Sequence, residues 1–273
     1  MSPAFALAIA GCVLVIAWIV GRPMLAARRR SALRERSLTE DQRKLLHRHW
    51  PGYRRLPATL AERLDELTAV FLGEMEFVGC RGLVVTPLMR LVISAQACLL
   101  VLGGARRVYD QLRSVLVYPS QFVVPEQWHD EDGVVTEEAR VLAGQAWDVS
   151  RILLSWEDVA SAGRDGEAYN VVIHEFAHYL DHETGGADGA PWLGNSAERR
   201  RWSGLLQREF DRLQAAVERG EETFLDPYGA EDQAEFFAVA SEAFFEQSRE
   251  FTRQAPALYE ALCRYYGLDP AAW

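Results

Sequence analysis

Residues 170–181 read NVVIHEFAHYLD, and this stretch carries the strongest chemical signal in the chain. Side chains four positions apart in a helix lie on the same face, so His174 and His178 can each offer a ring nitrogen to one metal ion. Glu175 lies beside this pair, where its carboxylate can take a proton from a water molecule at the open position of the metal. The pattern predicts a zinc site that hydrolyses a peptide bond.

Two features of this stretch leave alternatives open. The histidines of a buried helix can also serve only as hydrogen-bonding groups, and this is the structural alternative to a metal site. Asp181 lies three residues after His178 and could accept a hydrogen bond from the second nitrogen of a ligand histidine. An acid at this position could equally be a solvated residue at the end of the helix.

A catalytic zinc site normally has three protein ligands, so one ligand must come from elsewhere. His182 is rejected, because one ion cannot comfortably contact three successive turns of the same helix. The better candidates lie in DPYGAEDQAEFFAVASEAFFEQ, residues 226–247, where Glu235 and Glu242 are two turns apart on one helical face. Asp232 and Glu235 also form a capping-box pattern that would occupy the glutamate. The spacing alone leaves this choice open.

Several segments, in this order along the chain, resemble the Mlc titration factor A family of zinc-dependent peptidases: SVLVYPSQFVV, GQAW, ILLSW, NVVIHEFAHYLD and DPYGAEDQAEFFAVASEAFF. The resemblance extends from about Pro51 to about Asp269. It implies a zincin-like fold in which His174, His178 and Glu235 bind Zn²⁺ and Glu175 is the general base.

The same resemblance implies a role for Tyr228, which matches a family tyrosine seven residues before the ligand glutamate. A phenol beside the metal can donate a hydrogen bond to the oxyanion of the tetrahedral intermediate. This tyrosine-then-glutamate order is also similar to the catalytic domain of anthrax lethal factor, another zinc peptidase with a glutamate ligand. The implied activity is that of a zinc metallopeptidase acting on a peptide or protein, and aminopeptidase action is a narrower expectation.

The resemblance also supplies an alternative function, because the family is similar to a factor that sequesters the transcriptional repressor Mlc. Sequestration requires no chemistry. In that interpretation the chain is a regulatory binding protein whose partner is a transcriptional regulator, and its peptidase activity is secondary or absent.

The N-terminus predicts a membrane anchor. No charged residue occurs from Pro3 to Gly21, a length sufficient to span a bilayer, and arginines follow at 22 and 28–30. A cleaved signal peptide is the alternative, but it would carry its positive charge before the apolar run. We expect a transmembrane anchor over residues 1–22, a basic juxtamembrane helical linker over 23–50 and a zinc metallopeptidase domain over 51–273. The positive flank places this domain in the cytoplasm, as part of a single-pass inner-membrane protein.

Charge is divided unevenly along the 273 residues. Residues 1–55 contain 11 Lys and Arg and 3 Asp and Glu, whereas the remainder contains 18 and 36 of the totals of 29 and 39. The basic arm suits anionic lipid headgroups, and the strongly acidic body argues against direct binding of nucleic acid. The cysteines at 12, 80, 98 and 263 form no closely spaced pair and are expected to be reduced thiols.

Hydrophobic periodicity predicts an α+β fold, rich in helix and with a small sheet. The expected strands are Leu83 to Thr86, Val115 to Tyr118, Phe122 to Val124 and Ile152 to Trp156. The expected helices are Thr39 to His49, Ala58 to Leu72, Leu91 to Leu102, Ala168 to Leu180, Ala197 to Arg219 and one containing Glu235 that ends near Gln247. The strand at 152–156 precedes the helix that carries His174 and His178, which we call the metal helix. We therefore hypothesise that it is an edge strand and that an extended peptide substrate pairs with it.

Overall fold

The computed structural model of the chain describes residues 37–104, 109–129, 135–142, 144–148, 150–163, 168–182, 189–191, 193 and 195–273. Within these residues no helix combines the length and apolar character that crossing a membrane requires. The predicted anchor, residues 1–22, lies outside them. The part of the predicted linker from residue 37 onward is described, and it contains a helix.

Three helices open the described chain: α1 (Glu40–His49), α2 (Pro51–Arg55) and α3 (Ala58–Glu74). The side chain of Thr39 caps α1 by accepting a hydrogen bond from the amide of Gln42, which agrees with the predicted start of this helix. Leu46 and Trp50 are both buried in the main hydrophobic core. Helix α1 therefore packs as part of the folded body and not as a separate arm.

The main sheet has four strands in the order β1-β2-β6-β5, with β1 (Glu76–Gly79), β2 (Ser114–Tyr118) and β6 (Arg151–Ser155) parallel. Strand β5 (Gly144–Asp148) runs antiparallel to β6. A separate antiparallel hairpin contains β3 (Phe122–His129) and β4 (Val135–Leu142). The expected helix-rich α+β architecture with a small sheet is confirmed.

The structure contradicts one expected strand and the hypothesis about the position of another in the sheet. Residues 83–86 form no strand, because Gly82 turns the chain at a φ of 81° and Pro87 begins the next helix, leaving Val84 81% exposed. Strand β6 lies between β2 and β5, so the hypothesis that 152–156 forms the edge of the sheet is wrong. Trp156 is the first residue of a helix whose N-cap is Ser155.

The remaining helices are α4 (Pro87–Leu99), α5 (Trp156–Ser161), α6 (Val171–His182), α7 (Ser196–Glu218), α8 (Gln233–Glu246), α9 (Ser248–Gln254) and α10 (Pro256–Tyr266), with short 3₁₀ turns at Pro227–Ala230 and Pro270–Ala272. Helix α6 lies at the centre, packed against α8, α4 and the strands β5 and β6. Its apolar side chains, including Phe176 and Tyr179, are fully buried. A helix enclosed in this way holds the motif histidines on a rigid support.

Candidate active site

The metal helix begins later than expected. The sequence predicts a start near Ala168, whereas α6 starts at Val171 because the residue before it acts as the N-cap. The side-chain oxygen of Asn170 accepts hydrogen bonds from the amides of Val172 and Ile173, at 3.2 Å each. These bonds satisfy amide groups that the first turn of a helix otherwise leaves unpaired.

Helices α6 and α8 bring the three predicted ligands together. The Nε2 atoms of His174 and His178 are 3.1 Å apart, and Oε2 of Glu235 lies 3.0 Å from the first and 3.2 Å from the second. Asp232 caps α8 by accepting from the amides of Ala234 and Glu235. The cap therefore uses the backbone of Glu235 and leaves its carboxylate facing the histidines.

The separations of these three atoms fit one small divalent cation. Atoms about 2.0–2.1 Å from a tetrahedral zinc ion are about 3.3 Å from one another, close to the separations found here. The donor set of two imidazole nitrogens and one carboxylate oxygen also suits zinc. Within the described chain, this His-His-Glu cluster is the group of side chains arranged to hold a metal ion, and His182 is not part of it.

The pKa values of His174 and Glu235 also favour a bound cation. Burial lowers the pKa of His174, but hydrogen bonds to Glu235 and Glu242 outweigh it and raise this pKa well above its ordinary value. Burial opposes ionisation of Glu235, yet the two motif histidines hold its pKa well below the ordinary value. Positive charge between the imidazoles and the Glu235 carboxylate is therefore favourable. A divalent cation would supply this charge in place of a proton.

Glu242 is the carboxylate that orients His174. Its Oε1 lies 2.8 Å from Nδ1 of His174, which turns the other ring nitrogen towards the cluster. Burial raises the pKa of Glu242. Asp181, considered for such a role, accepts a hydrogen bond from the amide of Gly189 at 2.8 Å. Because Asp181 is fully buried, its alternative assignment as a solvated acid is wrong.

Glu175 lies beside the cluster with an unsatisfied carboxylate oxygen. The residue is only 4% exposed, and Oε2 has no hydrogen-bond partner among the described residues. Burial, followed by the negative charges of Glu235 and Glu242, raises its pKa to about 8. A carboxylate with a pKa near neutrality can both accept and release a proton, as a general base and acid must.

Tyr228 reaches the site from the 3₁₀ turn after Pro227. Asp226 caps this turn by accepting from the amide of Tyr228 at 2.8 Å. The phenol ring lies 6.0 Å from the ring of His174, and the residue is 40% exposed. Burial of the hydroxyl and the nearby charge of Glu235 raise its pKa, so the phenol remains protonated and able to donate. The ring of Tyr228 therefore faces the His-His-Glu cluster.

Two residues of this region are absent from the sequence prediction. Tyr169 is 37% exposed, and its pKa is raised by burial and then by nearby charges that include Glu242 and Glu175. Asn170 is fully buried and contacts Glu242. Their position directly before the metal helix was visible in the sequence, but no local pattern separates such residues from ordinary loop residues.

The chain is similar to known proteins over most of its length. A family model described as glucose-regulated metallo-peptidase M90 matches residues 24–267. An uncharacterised protein of Synechocystis sp. is 36% identical over 258 residues, which cover 94% of each chain. Mlc titration factor A of Klebsiella pneumoniae is 34% identical over 225 residues, 81% of this chain and 84% of that protein. Mlc titration factor A of Yersinia pestis is 34% identical over 214 residues, 77% and 78% of the two chains. The chain therefore belongs to the family of glucose-regulated metallo-peptidases M90.

Proposed function

We propose that this protein is a zinc-dependent peptidase whose zinc ion is held by His174, His178 and Glu235. One observation carries the proposal. Two imidazole nitrogens and a carboxylate oxygen converge within 3.0–3.2 Å of one another, next to a buried carboxylate oxygen of Glu175 that has no hydrogen-bond partner in the described part of the chain. Three protein ligands and an adjacent base form the open arrangement of a catalytic site, whereas a structural zinc site is closed by four ligands.

The bound zinc ion would polarise the scissile carbonyl and lower the pKa of the attacking water. Glu175 takes the proton of that water and then passes it to the leaving amine. Tyr228 donates a hydrogen bond from its phenol to the oxyanion that develops on the scissile carbonyl. Glu242 holds the ring of His174 in place throughout.

We propose that the substrate binds in an extended conformation along β5. This strand ends the four-stranded sheet on one side among the described residues, and α6 packs against it. An edge strand offers unpaired backbone groups to a peptide, which can add as a further strand. The proposal moves the peptide-binding edge from β6, where the sequence suggested it, to its neighbour.

The relatives named Mlc titration factor A support a second candidate function. At 34% identity over most of both chains, they suggest that this protein also binds a transcriptional regulator. Such binding can coexist with hydrolysis, or it can be the main activity.

We propose that the protein lies at the inner membrane, with the catalytic domain in the cytoplasm. The apolar run at residues 3–21 and the arginines that follow it support this proposal.

The test is a peptide-library cleavage profile of the full-length protein in detergent, with and without a zinc chelator. Full-length protein is required because α1 packs into the core. We expect cleavage that the chelator abolishes and added zinc restores. Product masses separate aminopeptidase action, the narrower form of the proposal, from internal cleavage. Stoichiometric zinc binding without cleavage of any peptide would favour the regulatory binding function instead.

A further inference from the structure

Asn170 forms more hydrogen bonds around the metal site than helix capping requires. Besides its side-chain cap bonds, its backbone carbonyl accepts from the amide of His174 at 3.0 Å, as the first bond of the helix, and its backbone amide donates to Oε2 of Glu242. The other oxygen of Glu242 is the one that contacts Nδ1 of His174. Asn170, Glu242 and His174 therefore form a closed ring of hydrogen bonds.

The side-chain amide of Asn170 extends this ring towards the N-terminal helices. Its Nδ2 donates to Oε1 of Glu246 at 2.8 Å. Oε2 of the same glutamate accepts from Arg55 at 2.9 Å, and Arg55 also donates to the carbonyl of Phe245 at 3.1 Å. The side chain of Glu246 is only 3% exposed whereas that of Arg55 is 44% exposed, so the bond to Asn170 is the more shielded part of this link.

We infer that Asn170 is a positioning residue for the metal site. Its side chain binds the first turn of α6 and Glu246, and these bonds hold in place the backbone amide that contacts Glu242, the carboxylate that orients His174. The inference rests on the proposed zinc site. One asparagine joins the start of α6, which carries both histidines, to the C-terminal half of α8. The same helix α8 carries Glu235, so Asn170 links the two helices that carry the ligand set.

The chain contains a matched asparagine that caps a helix without this link. Asn195 caps α7 by accepting from the amides of Ala197 and Glu198, at 3.0 and 2.9 Å, and it is exposed. Each asparagine thus caps a helix through its own Oδ1 atom. The side chain of Asn170 also donates to Glu246 of α8. A comparison of the two residues separates helix capping from positioning of the site.

The experiment measures zinc affinity by chelator competition, together with melting temperature, for Asn170→Ala, Asn170→Ser and Asn195→Ala. We expect Asn170→Ala to weaken zinc binding by about ten- to a hundredfold, as loss of the groups behind a metal ligand does. Asn195→Ala should lower the melting temperature and leave zinc affinity unchanged. Serine retains the cap but is too short to reach Glu246. Asn170→Ser should therefore fold normally, and its affinity for zinc should be about tenfold lower than that of the wild type.

Wild-type zinc affinity in Asn170→Ser would overturn the inference, because it would show that capping alone is needed. An equal loss of zinc affinity in Asn195→Ala would overturn it as well, since general destabilisation would then explain the effect. A wild-type protein that binds zinc without cleaving peptides leaves this inference standing and refutes only the peptidase function. A wild-type protein that binds no zinc refutes both.

Discussion

Replacement of Glu175 by glutamine tests the proposed base and its environment together. Glutamine has nearly the same shape but cannot ionise. Since Glu175 contributes none of the three converging ligand atoms, Glu175→Gln should retain zinc and the fold. Peptidase turnover should fall about a hundredfold or more, the usual effect of losing a positioned general base. Unchanged turnover in a zinc-loaded variant would refute the mechanism.

The same substitution has a predicted effect on stability in the metal-free protein. Burial, followed by the charges of two neighbouring glutamates, raises the pKa of Glu175 from 4.5 to about 8 in the folded state. Ionisation therefore disfavours folding. The penalty is absent below the unfolded pKa, increases as the pH rises from 4.5 to about 8, and is constant above that. At about 1.4 kcal/mol per pH unit, the full penalty is on the order of 5 kcal/mol.

Urea unfolding of the metal-free proteins across this pH range provides the measurement. Wild type and Glu175→Gln should have similar free energies of unfolding near the lower limit of the range. The variant should become more stable by a few kcal/mol as the pH approaches about 8, because only the wild type must desolvate a carboxylate there. Parallel pH profiles for the two proteins would mean that the carboxylate is not confined in a buried, unpartnered position.

Three further predictions concern the ligands, the phenol and the topology. Glu235→Ala should abolish stable zinc binding, whereas Glu242→Ala should keep the metal with a loss of at most about a hundredfold in affinity; the reverse order in metal analysis would identify Glu242 as the ligand. Tyr228→Phe should lower kcat about a hundredfold with zinc content and melting temperature nearly unchanged, because it removes only the hydroxyl. Retained activity would exclude Tyr228 from the catalytic residues. A reporter fused after Trp273 should be cytoplasmic, and the protein should remain in membranes after a carbonate wash; release into a soluble periplasmic fraction would indicate a cleaved signal peptide.

The local part of the site was predictable from the sequence. His174 and His178 share a helical face because their spacing matches the turn of an α-helix, and Glu175 lies beside them for the same reason. The major helices were also predictable, since apolar periodicity and capping residues such as Asp232 act over a few positions. These features depend on interactions within about two helical turns, which the order of residues specifies directly.

The tertiary structure decided which carboxylate faces the histidines. Glu235 and Glu242 lie two turns apart on one face of α8, so helical periodicity treats them alike. The way α8 packs against α6 brings Glu235 to the Nε2 atoms and Glu242 to Nδ1 of His174. The family resemblance had pointed to Glu235, but only the packing assigns a separate contact to Glu242.

The order of the strands in the sheet was likewise determined by the tertiary structure. Alternation and β-branched residues predict that 152–156 is extended, but they do not reveal which neighbours pair with it. Pairing depends on β2 and β5, and among the described residues the resulting order makes β5 the edge beside the helix that carries His174 and His178. The sequence by itself thus determined the motif and the helical face that its histidines share, through short-range periodicity. Only long-range packing determined the third side chain of the cluster, the bonds of Asn170 and the edge strand, because those contacts join residues far apart in the chain.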